Sequence, residues 1–328
     1  MEAILIFRSG QVHHCLRISC HSPRTLQSNR MLKRGITVPI LALATAGSLW
    51  GTGFFFGKIA LGEMPVATMV LFRLVFACAG LLPFLFFDRP RFAGMEWGWV
   101  FAAAVLGVPV QFLVQFKGLS LTTVSHASLM VGTLPIFLAI AAVLFSGEGL
   151  HFGGWLALVA STVGAGLIAL SSKGASGSTH ASVRGDLLVV LSMFAAIAWI
   201  LISKRLMRQH SPTMVTTSVY WIGTLILAAV VMPAWGVPTL HYSFRAWFAV
   251  AEQGLLVTAS TTLLWNWGLK QVPASQAGIF VNLEPLVGAI LGVALLHEAL
   301  GMMALAGGLL IIGGAVYFSY KPEKGAIS

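Results

Sequence analysis

The chain has 328 residues, of which 57% are hydrophobic and only 9% are charged. Soluble domains carry about a quarter charged residues, so this composition excludes a soluble globular protein and favours a membrane protein with several spanning helices. The formal net charge is +10, but the basic residues lie at the ends of apolar segments rather than on one face, so nucleic-acid binding is not predicted.

Residues 1–35 form a polar N-terminal tail that differs from the rest of the chain. We expect residues 1–30 to be dispensable, either as a disordered tail or as sequence upstream of a true start at Met31. The histidines and cysteines within residues 13–21 follow no standard zinc-ligand spacing, and neither a metal nor a cofactor is predicted. The chain has three cysteines, which support no disulfide framework.

Ten apolar runs follow the tail, each long enough to cross about 30 Å of hydrocarbon at about 1.5 Å per residue. They cover residues 38–58, 66–87, 97–117, 121–146, 150–171, 186–206, 213–234, 246–269, 274–296 and 300–320. These runs predict an all-α membrane protein with ten transmembrane helices, called predicted helices 1 to 10. Small residues such as Gly164 and Gly307 are expected to let neighbouring helices pack closely.

The distribution of lysine and arginine predicts the orientation of these helices. With the N-terminus inside, fourteen of the twenty basic residues fall in cytoplasmic segments and five in external segments. Cytoplasmic loops of membrane proteins are enriched in lysine and arginine. Both termini, including the tail 321–328, are therefore predicted to be cytoplasmic.

Residues 118–149 and 268–299 are two copies of one segment. Aligned without a gap, they share ten identical residues in 32 positions, including the pairs Pro135/Pro285 and Glu148/Glu298. Composition alone would give about three identities, so this is an internal repeat. The external loop 172–185 separates five predicted helices from five. Because five crossings is an odd number, residues 186–320 are predicted to be inverted relative to residues 36–171, as is typical of secondary transporters.

Several residues make the region from Val38 to Tyr320 resemble a known family. They are Trp50-Gly51 and Phe54 in predicted helix 1, Arg73 in predicted helix 2, Ala127 through Pro135 to Glu148 in predicted helix 4, and Ala277 through Glu284-Pro285 to Glu298 in predicted helix 9. In these features the chain resembles two EamA repeats of the drug/metabolite transporter superfamily. The resemblance implies a multi-pass protein of the bacterial inner (plasma) membrane that exports amino acids, other metabolites or toxic compounds. It also implies a central cavity surrounded by predicted helices 1, 3, 4, 6, 8 and 9.

Glu284, Arg73 and His126 are the candidates among the ionisable residues inside the predicted helices, where charge is costly and suggests function. Glu284 precedes Pro285, which frees a backbone carbonyl, and it serves either as a substrate or proton site or as a structural carboxylate. Arg73 either binds a substrate carboxylate or pairs with Glu284 or helix-end carbonyls. We favour the structural alternative, because predicted helix 2 is expected at the periphery. His126 is either an interfacial hydrogen-bonding residue or a proton relay.

Uncharged polar and aromatic residues complete the candidate site. The amides Gln115, Gln253, Asn266 and Asn282 are candidate substrate ligands. Trp50 and Trp199 occupy equivalent places in predicted helices 1 and 6 and are either packing residues or walls of the cavity. Other charged residues are interpreted as structural: Lys58 and Lys204 mark helix ends, and Glu148 and Glu298 hold the start of the following helix.

These features predict a secondary active transporter that works by alternating access, with a small-molecule substrate, the lipid bilayer as its environment and the proton as candidate coupling ion. Amino acids are the first substrate class, and a multidrug exporter of lipophilic cations is the alternative. No P-loop motif occurs in the sequence, so ATP hydrolysis is not expected. The more remote alternatives are an intramembrane enzyme, for which no nucleophile–base or metal constellation is found, and a non-transporting scaffold.

Overall fold

The computed structural model describes residues 23–87, 94–122, 127, 130–171, 182–296 and 302–320. Helices dominate these residues, and no β-strand occurs among them. Residues 1–35 form a unit of their own, and residues 36–328 form a second unit. All packing described below lies within the second unit.

The helices are labelled in chain order. They are α1 Pro23–Leu61, α2 Val66–Phe87, α3 Trp97–Val105, α4 Gln111–Leu121, α5 Leu134–Ser146, α6 Phe152–Ser171, α7 Val183–Leu206, α8 Pro212–Trp235, α9 Phe244–Glu252, α10 Thr261–Gln271, α11 Ala274–Ala277, α12 Leu283–Leu296 and α13 Met302–Tyr320. Two π-helical segments, Leu106–Val110 and Gln253–Ser260, join α3 to α4 and α9 to α10. A 3-10 segment, Gly278–Asn282, joins α11 to α12.

Among the residues that the structure describes, five helical stretches are long and apolar enough to cross a membrane. They are Val38–Leu61, Val66–Phe84, Trp97–Leu121, Val183–Leu206 and Pro212–Ala234. Three further apolar stretches are shorter, Leu134–Ser146, Phe152–Ile168 and Leu305–Phe318. Large apolar side chains also point outward, among them Phe145 and Phe152, which are 81% and 84% exposed. Water-soluble proteins rarely expose extensive apolar surface, so the prediction of an all-helical membrane protein is confirmed at this level.

The helix predicted over residues 121–146 is interrupted in the structure. Thr122 has extended backbone angles, Gly132 and Thr133 form a turn, and α5 begins only at Leu134. Pro135 explains the late start, because proline lacks an N–H and clashes with a preceding turn, whereas the first turn of a helix tolerates it. Pro285 likewise lies in the first turn of α12, after the 3-10 segment. The two prolines of the repeat therefore begin helices rather than bend them.

The two π-helical segments occupy corresponding places in the two halves of the chain. In the second segment, the hydroxyls of Thr258, Ser260 and Thr261 donate to backbone carbonyls five residues earlier, at 2.7–2.9 Å. In the first segment, Pro109 removes one backbone donor. π-helical bulges inside α-helices are frequently found at functional sites, and the second segment lines the cavity described below through Val257 and Thr258.

Small residues allow a close helix crossing between α6 and α13, as the sequence predicts. α6 and α13 pack against each other along much of their length. A Cβ atom added at Gly164 of α6 would lie 2.5 Å from the carbonyl oxygen of Gly307 in α13. Any side chain at position 164 would therefore force the helices apart, as expected for membrane helices that pack through glycine.

Candidate functional site

A cavity of about 90 Å³ lies at the centre of the second unit. It is lined by residues of eight helices and two connecting segments. The helices are α1, α2, α4, α5, α7, α8, α10 and α12, and the segments are those that precede α10 and α12. Most of the wall is apolar, and the polar or amphipathic members are Trp50, Arg73, Gln111, Gln115, Trp199, Tyr220, Thr258, Thr262 and Glu284. A mainly apolar cavity with a few convergent polar groups is the usual form of a small-molecule site.

Arg73 supplies the positive charge of the cavity. Its side chain is buried, its Nε donates to Thr258 Oγ1 at 2.8 Å, and its guanidinium lies over the rings of Phe112 and Phe116 at 4.5 and 5.1 Å. Gly254 makes this approach feasible, since a Cβ atom there would overlap the Arg73 carbonyl oxygen. The residues described give the guanidinium one hydrogen bond and no ion pair, so its remaining donors are available to a ligand.

Glu284 brings a carboxyl group to the same cavity. It is buried, it lies in the first turn of α12, and no described residue hydrogen-bonds its carboxylate. A carboxylate is favoured near a helix N-terminus by the helix dipole. Gly51 lets α1 pack against this turn, since a Cβ atom there would lie 2.6 Å from the Glu284 carbonyl oxygen.

Glu252 is a second carboxylate near Arg73 that the sequence reasoning missed. Thr52 Oγ1 donates to Glu252 Oε1 at 2.8 Å, whereas the buried Oε2 has no hydrogen-bond partner among the described residues. Glu252 and Glu284 are both near enough to Arg73 for an electrostatic attraction. The signal was visible in the sequence, because Glu252 is an ionisable residue inside the predicted helix 246–269.

Trp50, Trp199, Phe112 and Phe116 contribute aromatic rings to the apolar wall of the cavity. Trp199 lies against Gly107 of the first π-helical segment, where an added Cβ atom would come within 2.5 Å of the indole. Trp50 packs on Trp265, with ring centroids 4.9 Å apart. The Tyr220 hydroxyl lies 3.2 Å from Thr262 Oγ1 at the edge of the cavity.

The structure brings five of the nine candidate residues to this cavity. They are Trp50, Arg73, Gln115, Trp199 and Glu284. Three amides instead bond to neighbouring helices. Gln253 donates to the Gly53 carbonyl, Asn266 to Thr216 at 2.8 Å, and Asn282 to Ser161 at 3.0 Å. His126 lies outside the described residues.

Cavity residues that the sequence reasoning missed are Thr258, Thr262, Tyr220, Phe112 and Phe116. Hydroxyl and aromatic residues occur throughout the apolar runs, so no signal in the sequence distinguishes these five. Thr258 reaches Arg73 only because of the π-helical turn, which has no simple sequence signature.

Charged residues at helix ends form a separate network. Lys204 Nζ lies 2.8 Å from Glu148 Oε1 and donates to the Val272 carbonyl at 2.8 Å, while Glu148 Oε2 accepts from the Ser275 N–H at 3.0 Å. Burial alone would raise the pKa of Glu148, but Lys204 and the hydrogen bonds outweigh it and hold that pKa below its ordinary value. Glu148 therefore holds the start of α11 rather than that of the next helix in the chain. Glu298 lies outside the described residues.

The chain matches the model of the EamA-like transporter family twice, over residues 37–170 and 183–320. The chain belongs to this family. The match confirms the expected membership, which is consistent with the drug/metabolite transporter superfamily.

Individual relatives agree with this assignment. The chain is 23% identical over 294 residues to an uncharacterized transporter of Archaeoglobus fulgidus, covering 87% of this chain and 98% of the relative. It is 26% identical over 277 residues to the uncharacterized transporter YdfC of Bacillus subtilis, covering 84% and 89%. It is 23% identical over 280 residues to the biotin transporter of Escherichia coli K12, covering 83% and 90%.

A solved crystal structure has the same fold. It superposes with a TM-score of 0.72 at 19% identity and covers 85% of this chain and 95% of that chain. The relatives are named as transporters, so this EamA-like protein is a multi-pass membrane transporter and not an enzyme.

Proposed function

We propose that this EamA-like protein is a secondary active carrier that exports small zwitterionic metabolites, with amino acids as the first class. The proposal is carried by one observation. Arg73 and Glu284 bring a guanidinium and a carboxyl group to the same cavity, and neither has an ion-pair partner among the described residues. A zwitterion would supply both missing partners.

The chemistry of the cavity fits such a substrate at both ends. A guanidinium binds a carboxylate through two parallel hydrogen bonds, and Arg73 is held in place by Thr258 and the two phenylalanine rings. The carboxylate of Glu284, with Glu252 nearby, attracts an ammonium group. Trp50 and Trp199 provide apolar surface for the rest of the molecule.

Two inverted five-helix copies with ten membrane crossings would give this carrier its alternating access. The copies are residues 36–171 and 186–320, separated by the external loop 172–185, with both termini cytoplasmic. The internal repeat, the two family matches and the corresponding π-helical segments support this arrangement. Protons are the proposed coupling ion, with Glu284 as their site, because a carboxylate without a fixed partner can exchange a proton for a substrate ammonium.

Export of lipophilic cations is the second candidate. Glu252 and Glu284 give the site two carboxylates, and its aromatic walls suit a flat cation. Arg73 is evidence against a cationic substrate, since a buried positive charge repels it. Zwitterions are therefore preferred.

Counterflow into proteoliposomes containing the full chain tests the proposal. The vesicles are preloaded with an amino acid, with its carboxylate-free amine, with its amine-free acid, with biotin or with a lipophilic cation. Saturable uptake of the amino acid above that of both analogues supports the zwitterion site. Uptake restricted to carboxylic acids and biotin would show that Arg73 binds the substrate and that Glu284 does not. Uptake restricted to cations would favour the second candidate, a carrier of lipophilic cations.

A further inference from the structure

A groove of about 950 Å³ lies on the outer surface between α5 and α7, apart from the central cavity. Its walls are apolar. They consist of Phe137, Ile140 and Leu144 of α5 and Phe194, Ile197 and Leu201 of α7. Phe194 is 52% exposed and Leu144 is 71% exposed, so the groove opens sideways toward the bilayer.

Charged residues gather at one end of this groove. Glu96, Glu148, Lys204, Arg205 and Arg208 all line that end. Lys204 is paired with Glu148, and Arg205 is paired with Glu96 at 3.0 Å and lies over the Trp99 ring at 4.8 Å. Arg208 is exposed, and none of the described residues forms an ion pair with it. The end of the groove therefore carries one uncompensated positive charge.

The length of the groove matches one leaflet of a bilayer. Phe194 and Arg205 are eleven positions apart, a rise of about 16 Å along α7, and half of a hydrocarbon core is about 15 Å. Tryptophan prefers the headgroup level, which is where Trp99 would lie. Basic pockets between membrane helices are suited to lipid head groups.

We propose that this groove binds one anionic phospholipid, with an acyl chain along α5 and α7 and the phosphate on Arg208. The single negative charge of such a lipid complements the single free positive charge of the groove. α5 and α7 also line the central cavity through Leu134, Met193 and Ala196. The lipid thus lies directly behind the transport site, on the other side of the same helix pair.

Native mass spectrometry of the full chain in detergent tests this site. The protein is titrated with phosphatidylglycerol and with phosphatidylethanolamine of the same chains. We expect one phosphatidylglycerol to bind at least about fivefold more tightly than phosphatidylethanolamine, since one arginine near a lipid phosphate contributes about that factor. Equal binding of the two lipids would overturn the proposal.

Variants separate this site from general lipid adhesion. Arg208→Ala is expected to abolish the preference and Arg208→Lys to retain it, while Arg245→Ala, which removes an exposed arginine elsewhere, leaves it unchanged. Ala141→Phe fills the groove and is expected to weaken binding of both lipids. A preference for phosphatidylglycerol that survives Arg208→Ala contradicts the proposal. Displacement of the lipid by excess inorganic phosphate also contradicts it, because the site would then recognise phosphate rather than a phospholipid. Size-exclusion chromatography checks that each variant is folded.

Discussion

At the scale of single residues, the absence of a side chain at Gly107 determines where Trp199 lies. A Cβ atom at position 107 would come within 2.5 Å of the indole, well inside van der Waals contact. Trp199 is only 4% exposed, so the surrounding helices leave it little room. The nearest space for a displaced ring is the central cavity that it lines.

Gly107→Ala is therefore expected to impair transport by pushing Trp199 into the cavity. Overpacking of this kind costs about 1–3 kcal/mol, so the apparent melting temperature in detergent falls as well. Gly98→Ala is the matched control, because that glycine has nothing within 4 Å of an added Cβ atom. Counterflow and thermal unfolding of both variants check the prediction, and equal behaviour of the two would contradict it.

The predictability of the site also differs residue by residue. Charge within an apolar run pointed to Glu284 and Arg73, and the same rule applied fully would have included Glu252. The preference for a structural Arg73 rested on a peripheral place for predicted helix 2, but the guanidinium reaches the central cavity between Phe112 and Phe116. The sequence does not specify how far a long side chain extends from its own helix.

At the scale of elements, the segment Gln253–Ser260 places a hydroxyl beside Arg73. Thr258 Oγ1 donates to the Gln253 carbonyl at 2.7 Å and accepts from Arg73 Nε at 2.8 Å. Thr261 makes the same kind of backbone bond, to Leu256 at 2.8 Å, but does not bond to Arg73. The two threonines form a matched pair in which one also orients the guanidinium.

Thr258→Val is expected to raise the KM for carboxylate substrates more than Thr261→Val does. Each variant loses one backbone hydrogen bond, worth about 1 kcal/mol, and Thr258→Val also loses the bond from Arg73 and is destabilised further. Only Thr258→Val frees Arg73 to change its direction. Concentration-dependent counterflow measures KM, and equal KM values for the two variants would show that Thr258 does not position Arg73.

Two ion pairs at helix ends differ in burial and should differ in energy. The side chains of Lys204 and Glu148 are 21% and 12% exposed, and those of Arg205 and Glu96 are 53% and 35% exposed. Lys204 additionally bonds the Val272 carbonyl at the end of α10. The first pair thus links three elements, whereas the second is a surface pair.

Lys204→Met is expected to destabilise the protein by about 2 kcal/mol, since it leaves charge-assisted hydrogen bonds unmade. Arg205→Met should cost less than about 1 kcal/mol, as exposed ion pairs do. Apparent melting temperatures in detergent compare them. A larger drop for Arg205→Met would refute the structural role given to the Glu148–Lys204 pair.

Helix boundaries were predictable to within a few residues wherever an apolar run is continuous, as for α2 at residues 66–87. Prediction from hydrophobicity fails where an apolar run continues but the backbone geometry changes. Pro135 starts α5 inside an unbroken apolar run, and the segment Leu106–Val110 has π-helical turns although its composition resembles its neighbours. Hydropathy reports burial in lipid and carries no information on hydrogen-bond register.

At the scale of the whole molecule, a lysine in the last turn of the first helix of each copy makes the same kind of bond. Lys58 Nζ donates to the Thr122 carbonyl at 3.2 Å and Lys204 Nζ to the Val272 carbonyl at 2.8 Å. Thr122 and Val272 are aligned in the internal repeat. Each lysine thus closes the end of another helix in its own half, as expected of two copies of one fold.

The proposed topology predicts which loops face the outside. Val237 is 83% exposed between α8 and α9, on the external side of the proposal, and Gln209 follows α7 on the cytoplasmic side. In whole cells, a membrane-impermeant maleimide should label Val237→Cys at once and Gln209→Cys only after permeabilisation, with the unsubstituted chain as control. The opposite pattern would reverse the orientation.

The measurement that tests the account most directly is counterflow of one amino acid and its two analogues by the Arg73→Met and Glu284→Gln variants. Suppose that Arg73 binds the carboxylate and Glu284 the ammonium. The Arg73→Met variant then transports the amine at the same rate as the amino acid, because a carboxylate on the substrate no longer increases its transport. Glu284→Gln shows the converse and transports the amine-free acid at the same rate as the amino acid. Arg245→Met should behave like the unaltered chain. If both variants keep the original order of preference among the three compounds, the two charges do not hold the substrate and the central proposal is wrong.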